Sequence, residues 1–400
     1  MRRVSWQEGG YPFNIQFFDD CAVAHIPTAA TNDDVDIGHA AAVLVNKIID
    51  IALAENLQVI VLLNIEENAD SDGMRLWCDC LTKHINSTKF VSNYLILTNS
   101  TFQHAEQYDN VLSIWWFLHQ AISTYTKDNI ENLTWKPSNS KVLFLPGKLW
   151  KPSRFPALYY FLHSSISDSL KYACMTYEQM EHWSEHSEVK LFEAWTTVYD
   201  NQPHSFDAMR SMVNNVAKVI DRPWLNETGR KDFDMLPPEL YNDVAVEIVA
   251  ETSASSLAHV TEKTFKPIVL GYPFVYIHPQ FVNKLTTLGF KLYQPDATTE
   301  WLPHAGVNKD IYPYNRNTLS EFKTCVDNTQ KVLNNIENLD LEYIQGRITY
   351  NQEHAMKIHQ QTINNITDVI PGFNSYADDF FAFATGTNNL LYNKRKETHT

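Results

Sequence analysis

The chain is short of glycine. It has 12 in 400 residues, under half of the ~7% usual in globular proteins, and they occur singly apart from Gly9-Gly10. No GxGxxG and no GxxxxGK[ST] is present, which excludes both familiar glycine-rich phosphate cradles. If phosphates bind here, side chains must hold them. Basic residues are also in deficit, 32 Lys and Arg against 47 Asp and Glu, for a net charge of −15. Such a field repels polyanions at long range and disfavours a nucleic-acid partner unless a basic groove is well segregated. A small anionic ligand needs only a few cations. Cysteine is sparse and odd in number (Cys21, Cys78, Cys80, Cys174, Cys325), a pattern of reduced thiols rather than a disulfide framework. Cys78 and Cys80 form a CxC with no second pair to complete a zinc site. Long apolar runs are missing too. The run 59–63 is far short of the ~20 residues that cross a bilayer, and no apolar segment follows the basic start as in a signal peptide. These absences lead to the expectation of a soluble, cytoplasmic protein with no membrane span.

What is present suffices for buried cores: 44% hydrophobic and 12% aromatic residues. The length suggests two domains. In the first third, short strands at 13–18 and 21–26 precede a helix over 39–55, which Asn56 ends. LQVIVLLN follows as a continuous apolar strand of the kind buried in parallel sheets. A helix at 74–84, a strand at 90–97 and an aromatic segment at 111–117 complete a β-α-β series that predicts a doubly wound unit. The polar stretch 127–140 reads as a linker. A second series follows: strands at 141–145, 244–251, 274–277 and 291–293, and helices at 153–163, 209–221, 261–270 and 279–288. Helices over 320–336 and 341–366 close it. The fold class expected is α/β, two Rossmann-like domains with a central cleft and C-terminal helices packing across. Residues 1–135 form the N-terminal domain, 136–370 the C-terminal domain, and 371–400 an extension with a frayed tail.

The segment VEIVAETSASSLAHVTEKTFKPIVLGYPFVYIHP, residues 246–279, carries the chemistry. A strand ends at Glu251, a polar loop runs to His259, and a helix opens with Thr261-Glu262-Lys263. Ligands of open α/β sheets bind at the carboxyl ends of strands. Thr261 is an N-cap candidate. Free backbone N–H groups there attract an anion, and Lys263 adds a full charge. Glu262 suits ribose hydroxyls. The competing reading is a pair of exposed first-turn residues.

This segment resembles the donor-binding motif of α1,3-fucosyltransferases, FENS, a short loop, YVTEKL and a G-x-P strand. Here the pattern is AETS at 250–253, VTEKTF at 260–265 and GYPF at 271–274, with Ala250 in place of the aromatic and Thr252 in place of the asparagine. Similar TEKTxKPIxxGxPF segments recur in viral and phage proteins described as glycosyltransferases. A second match lies upstream, where VLFLPGKLWKPSRFPALYYFL at 142–162 resembles the family's strand, loop and helix with a serine/arginine pair. The resemblance covers about 141–295 and implies a GT-B fold, a nucleotide-sugar co-substrate, inversion, and no cofactor or metal. It places Arg154 on the donor diphosphate, where a guanidinium binds bidentately. Lys148 assists, Lys263 offsets the leaving group's charge, and Glu251 shapes the pocket. The implied general base comes from the N-terminal domain. IEENADSD supplies Glu66, Glu67, Asp70 and Asp72 after a strand, and Glu66 or Glu67 is chosen, with Glu8 as an outsider.

Other signals are set aside. Asp232-Phe233-Asp234 is a DxD of the kind that binds metal, His182 and His186 are spaced for zinc but lack a third ligand, and Trp115-Trp116-Phe117 reads as core. His163 and His259 stand near the expected site. The function expected is transfer of a sugar from a nucleotide-sugar to a glycan or other acceptor hydroxyl. One alternative is a viral enzyme modifying hydroxymethylated pyrimidines in DNA, since the scarcity of Arg and Gly beside frequent Asn, Tyr, Lys and Ile fits an A/T-rich genome. Another is a non-catalytic nucleotide-binding or structural protein on the same fold.

Overall fold

The computed structural model describes residues 3–8, 11–18, 21–26, 37–63, 72–88, 93–99, 104–127, 135–147, 149, 154–174, 195, 199, 206–216, 238–251, 260–278, 280–293, 317–337 and 341–383. The protein is α/β, with one mixed and one parallel sheet. It divides into two compact units, Met1–Thr124 with Glu227–Lys231 and Met356–Thr400, and Tyr125–Asn226 with Asp232–Ala355.

In the first unit, six strands lie side by side in chain order: β1 (Arg3–Glu8), β2 (Tyr11–Phe18), β3 (Cys21–Ile26), β4 (Gln58–Leu63), β5 (Tyr94–Asn99) and β6 (Val111–Ile114). The first three pair antiparallel and the rest parallel. Side chains alternate between faces along a strand, and both faces here are covered. Ala22, Ala24, Val59, Val61 and Ile96 meet helices α1 (Ile37–Glu55) and α2 (Asp72–Ser87) in one core. Cys21, Val23, Ile60, Leu62 and Leu97 meet Trp116 and the apolar residues of the chain's C-terminal part in the other. Asn56, in the left-handed region at φ 53°, ends α1 as a left-handed C-terminal residue does. α1 is long and apolar enough to cross a membrane by composition, yet eight of its residues are buried in the molecule.

Several expectations need correction. The first sheet is not doubly wound: its parallel strands follow chain order, and α1 and α2 share one face. On the opposite face only Trp116, among the described buried residues before residue 356, joins the strands, and the C-terminal part covers the rest. Residues 356–370, expected in the second domain, cluster with the first unit, and part of 371–383, expected as an extension, is core. Ile363, Ile366, Ile370, Phe373, Phe380 and Phe381 supply the missing layer, Phe373 and Phe380 packing edge to face with ring centroids 5.1 Å apart. The aromatic segment 111–117, a strand or helix by sequence, divides between β6 and the start of helix α3 (Trp116–Lys127), which runs up to the expected linker. The aromatic trio splits: Trp116 is core, while Trp115 and Phe117 are half-buried.

The second unit holds a four-stranded parallel sheet in the order β10-β9-β7-β8, comprising β7 (Lys141–Gly147), β8 (Leu170–Cys174), β9 (Val244–Val249) and β10 (Phe274–Tyr276). Its helices are α4 (Arg154–Leu162), α5 (Phe206–Val216), α6 (Glu262–Leu270), α7 (Gln280–Thr287) and α8 (Asn317–Glu337). α9 (Leu341–Val369) starts in this unit and ends in the first, where α10 (Ala377–Phe383) follows. Strand β8 was not foreseen. The expected strand at 291–293 is irregular because its backbone bonds to α9 side chains. Lys291 N donates to Asn351 Oδ1 and Asn351 Nδ2 to Lys291 O, both at 2.8 Å. Gly271 caps α6 at φ 74°, and a Cβ there would lie 2.7 Å from the Gln352 amide, so backbone sign and close approach both require glycine.

One polar network sits in the first unit's apolar second layer. His119 Nδ1 and His359 Nδ1 are 2.9 Å apart, His359 Nε2 is 3.7 Å from Asp378, and Ser123 Oγ donates to Asp378 at 3.3 Å. Burial, then the His359 charge, pushes the His119 pKa well down. Burial also lowers His359, partly offset by Asp378. Both rings are thus held neutral in the fold, whereas an unfolded histidine takes a proton near pH ~6.5. The unfolded chain binds more protons below that pH, so this stabilisation is complete above ~6.5 and is lost as pH falls. The thermal midpoint should decline on acidification, and His119→Gln/His359→Gln should reduce that slope. An unchanged slope would contradict the account. Phe380→Ala should cost about 3–5 kcal/mol by denaturant titration, through the cavity left beneath the sheet.

Candidate functional site

The order of the second sheet reverses at its centre. From β7 the chain moves out to β8, returns past β7 to β9, and continues to β10. Connections therefore diverge between β7 and β9, and the carboxyl ends of those strands border the crevice where open α/β sheets take ligands. Arg154 follows β7 at the start of α4, and Glu251, Thr261, Glu262 and Lys263 follow β9 at the start of α6. Two sequence segments a hundred residues apart are brought to one place because a parallel sheet puts every strand's end on the same edge.

Arg154 is 4% exposed. Its Nη1 donates to Pro146 O at 2.8 Å, while its Nε has no hydrogen-bond partner among the described residues. Burial pushes its pKa down to about 10, opposed by the nearby Glu262 and Glu251 carboxylates, so the guanidinium stays charged at neutral pH. An unpaired buried donor on a cation is costly, and an acceptor supplied by a ligand would remove the cost.

Glu251 is 2% exposed and holds the start of α6 in place. It accepts from Thr261 N at 2.9 Å and from the hydroxyls of Thr261 and Thr264, each at 2.5 Å. Tyr276 Oη, on β10, donates to Thr264 Oγ1 at 2.7 Å. Burial raises the Glu251 pKa against the pull of Lys263 and these bonds. Its role is bracing rather than direct contact, since both oxygens are occupied. Burial also acts to raise Glu262, but the Lys263 ammonium outweighs it and holds the carboxyl below its usual value. Lys263 Nζ donates to Glu262 Oε1 and to Thr261 Oγ1 at 3.2 Å.

The N-terminus of α6 differs from the expectation of free amides awaiting an anion. Thr261 is the N-cap, as its sequence position indicates, and its hydroxyl accepts from Lys263 N at 3.4 Å. Thr264 N bonds to Thr261 O at 3.1 Å, and Glu262 bonds its own backbone. The cap uses up the donors, leaving the cationic side chains to meet an anion. A second correction concerns His163: it is exposed at the far end of α4, Nδ1 at 2.8 Å from Tyr159 O. At ~1.5 Å rise per residue it stands roughly 13 Å from Arg154. Glu66, Glu67, Asp70, Lys148, His182, His186, the DxD at 232–234 and His259 lie outside the described residues. Glu8 ends β1, paired with Tyr11. Among the described residues no group of His, Cys, Asp or Glu is arranged to hold a metal.

Sequence reasoning missed three features. Lys284 on α7 feels the Glu251 charge, although burial lowers its pKa. Beneath the site, Lys266 Nζ lies 3.4 Å from Glu247 Oε1, and Tyr241 Oη donates to Glu247 Oε2 at 2.6 Å. His278, just beyond β10, is 4% exposed and paired through Nδ1 with Glu321 at 3.0 Å. The signal for His278 was available in FVYIHP, a histidine at the carboxyl end of a strand; its partner, 43 residues on, was not. Glu251→Ala should cost about 3–5 kcal/mol in urea denaturation, because it strips several buried donors and Arg154 of a partner at once; a loss under about 1 kcal/mol would contradict the bracing role.

No family model, no curated protein and no solved structure matches the chain.

Proposed function

We propose that the protein is a glycosyltransferase that binds a nucleotide-sugar at the reversal point of its second sheet and transfers the sugar to an acceptor hydroxyl. The observation that carries this reading is Arg154: a buried guanidinium at a strand-to-helix junction, beside Glu251 and Glu262, with an unpartnered Nε. Arg154 and Lys263 take the diphosphate and Glu262 the ribose. Lys263 is already paired with Glu262, so donor binding splits or shares that pair and presents both groups to the ligand. The fucosyltransferase-like segments at 141–295 support the same assignment, as does the scarcity of glycine, because the cations replace a backbone cradle. Inversion without metal follows from that resemblance: two cations offset charge on the leaving diphosphate, the role a divalent ion plays elsewhere. The base is Glu66 or Glu67. The net charge of −15 favours a glycan or small acceptor over duplex DNA; the sparse, odd-numbered cysteines fit a soluble cytoplasmic enzyme, and the residue composition is compatible with a viral source.

The test is a screen of GDP-, UDP- and CMP-sugars by thermal shift and donor hydrolysis. One nucleotide class should raise the melting temperature of the wild type. Arg154→Ala and Lys263→Ala should each weaken that ligand about tenfold or more, equivalent to ~1.4 kcal/mol. Arg154→Lys should recover only part of the loss, since a lysine lacks the bidentate fork. Stabilisation by no nucleotide, or variants that bind like the wild type, would remove the donor site. Stabilisation without turnover on any hydroxyl acceptor would favour a binding protein on this fold.

A further inference from the structure

The reversal-point site has one more group poised to meet a ligand. Tyr276 pairs with Val249 in the parallel ladder, and Ile277 N donates to Val249 O at 3.2 Å. The chain therefore leaves β10 alongside Ala250-Glu251, and His278 stands at that edge. Glu321 of α8 accepts from the imidazole Nδ1 at 3.0 Å, and α8 packs on β9, β10 and α4. A carboxylate on Nδ1 fixes the direction of Nε2. Nε2 itself is buried and has no partner among the described residues. Among the described residues, the charged groups at this strand end are Glu321 from α8, Glu251 just after β9, Glu262 and Lys263 from α6, Lys284 from α7 and Arg154 from α4.

We propose that His278, oriented by Glu321, is a further ligand-binding residue of this site, donating its Nε2 proton to a phosphate oxygen, so that binding takes up a proton. The inference rests on the reading of the site as a diphosphate site, and it adds a regulation: affinity depends on pH. In the free protein the Nδ1 proton faces Glu321. On ligand binding a solvent proton adds to Nε2 and is shared with the phosphate, no other bond being made or broken. The unpaired nitrogen and the unpaired Arg154 Nε, in the same unit and around the same strand ends, are then both satisfied by one anion.

The experiment is calorimetric titration of UDP, GDP and inorganic pyrophosphate into the full chain, in buffers of different ionisation enthalpy, between about pH 6 and 8.5. The wild type should take up protons beyond those the free ligand binds. Its affinity should fall as pH rises, by up to about tenfold per pH unit for one linked proton. His278→Gln should bind more weakly with that extra uptake abolished, and Glu321→Gln should move the dependence to lower pH. Imidazole nitrogen NMR of the wild type reads the same event without a variant: the His278 Nε2 resonance should move from the unprotonated to the protonated range on ligand addition. An unmoved resonance, or full proton uptake in His278→Gln, overturns the role of His278 and leaves the diphosphate site standing. Binding of no probe at any pH overturns both.

Discussion

The second unit depends on one buried carboxylate. Glu251 stands two residues beyond β9, and among the described residues it accepts its hydrogen bonds from the N-cap and first turn of α6. A bare carboxylate at that depth would protonate or destabilise the fold. Three donors and the neighbouring Lys263 and Arg154 charges make its burial tolerable, and in return the carboxylate fixes where α6 starts. The position of Glu262 and Lys263 follows from it, and Tyr276 extends the brace to β10 through Thr264. The arrangement is high in stake, since removing one member orphans several others.

At the same edge of the sheet, side chains rather than backbone amides are open to a ligand. The N-cap hydroxyl, the Glu262 carboxylate and the Glu251 carboxylate occupy the amides at the start of α6. Among the described residues, what is left unpaired at this edge is on side chains: Arg154 Nε and His278 Nε2. Without a glycine-rich loop to bring the backbone close to a phosphate, long cationic side chains can reach across that distance.

The two sheets use their helices differently. The first keeps chain order and places α1 and α2 on one face, so its strands leave a second apolar face that Trp116 and the far C-terminal part cover. The second reverses order between β7 and β9, and that reversal creates a crevice. Both are α/β, but only the second has the topology that concentrates functional groups.

Much of this was legible in local pattern. The alternation and apolar runs of β3, β4, β7 and β9, the αL stop at Asn56, the cap at Thr261 and the Gly271 turn are short-range effects, set by φ/ψ preference and period. The pairing of Arg154 with the Glu251–Lys263 segment came from the resemblance of residues 141–295 to a family motif and not from local pattern. Strand order, the layer formed by residues 363–381, the His119–His359 contact and the link from His278 to Glu321 were not legible. Each joins residues far apart in the chain, and no local propensity encodes which partner a buried polar group or bare sheet face finds. The amino-acid sequence determined by itself that the chain is α/β, lacks a glycine cradle and offers cations at helix starts; the tertiary structure alone decided which of those cations lie buried beside carboxylates, because desolvation and pairing exist only once the sheet edge is assembled.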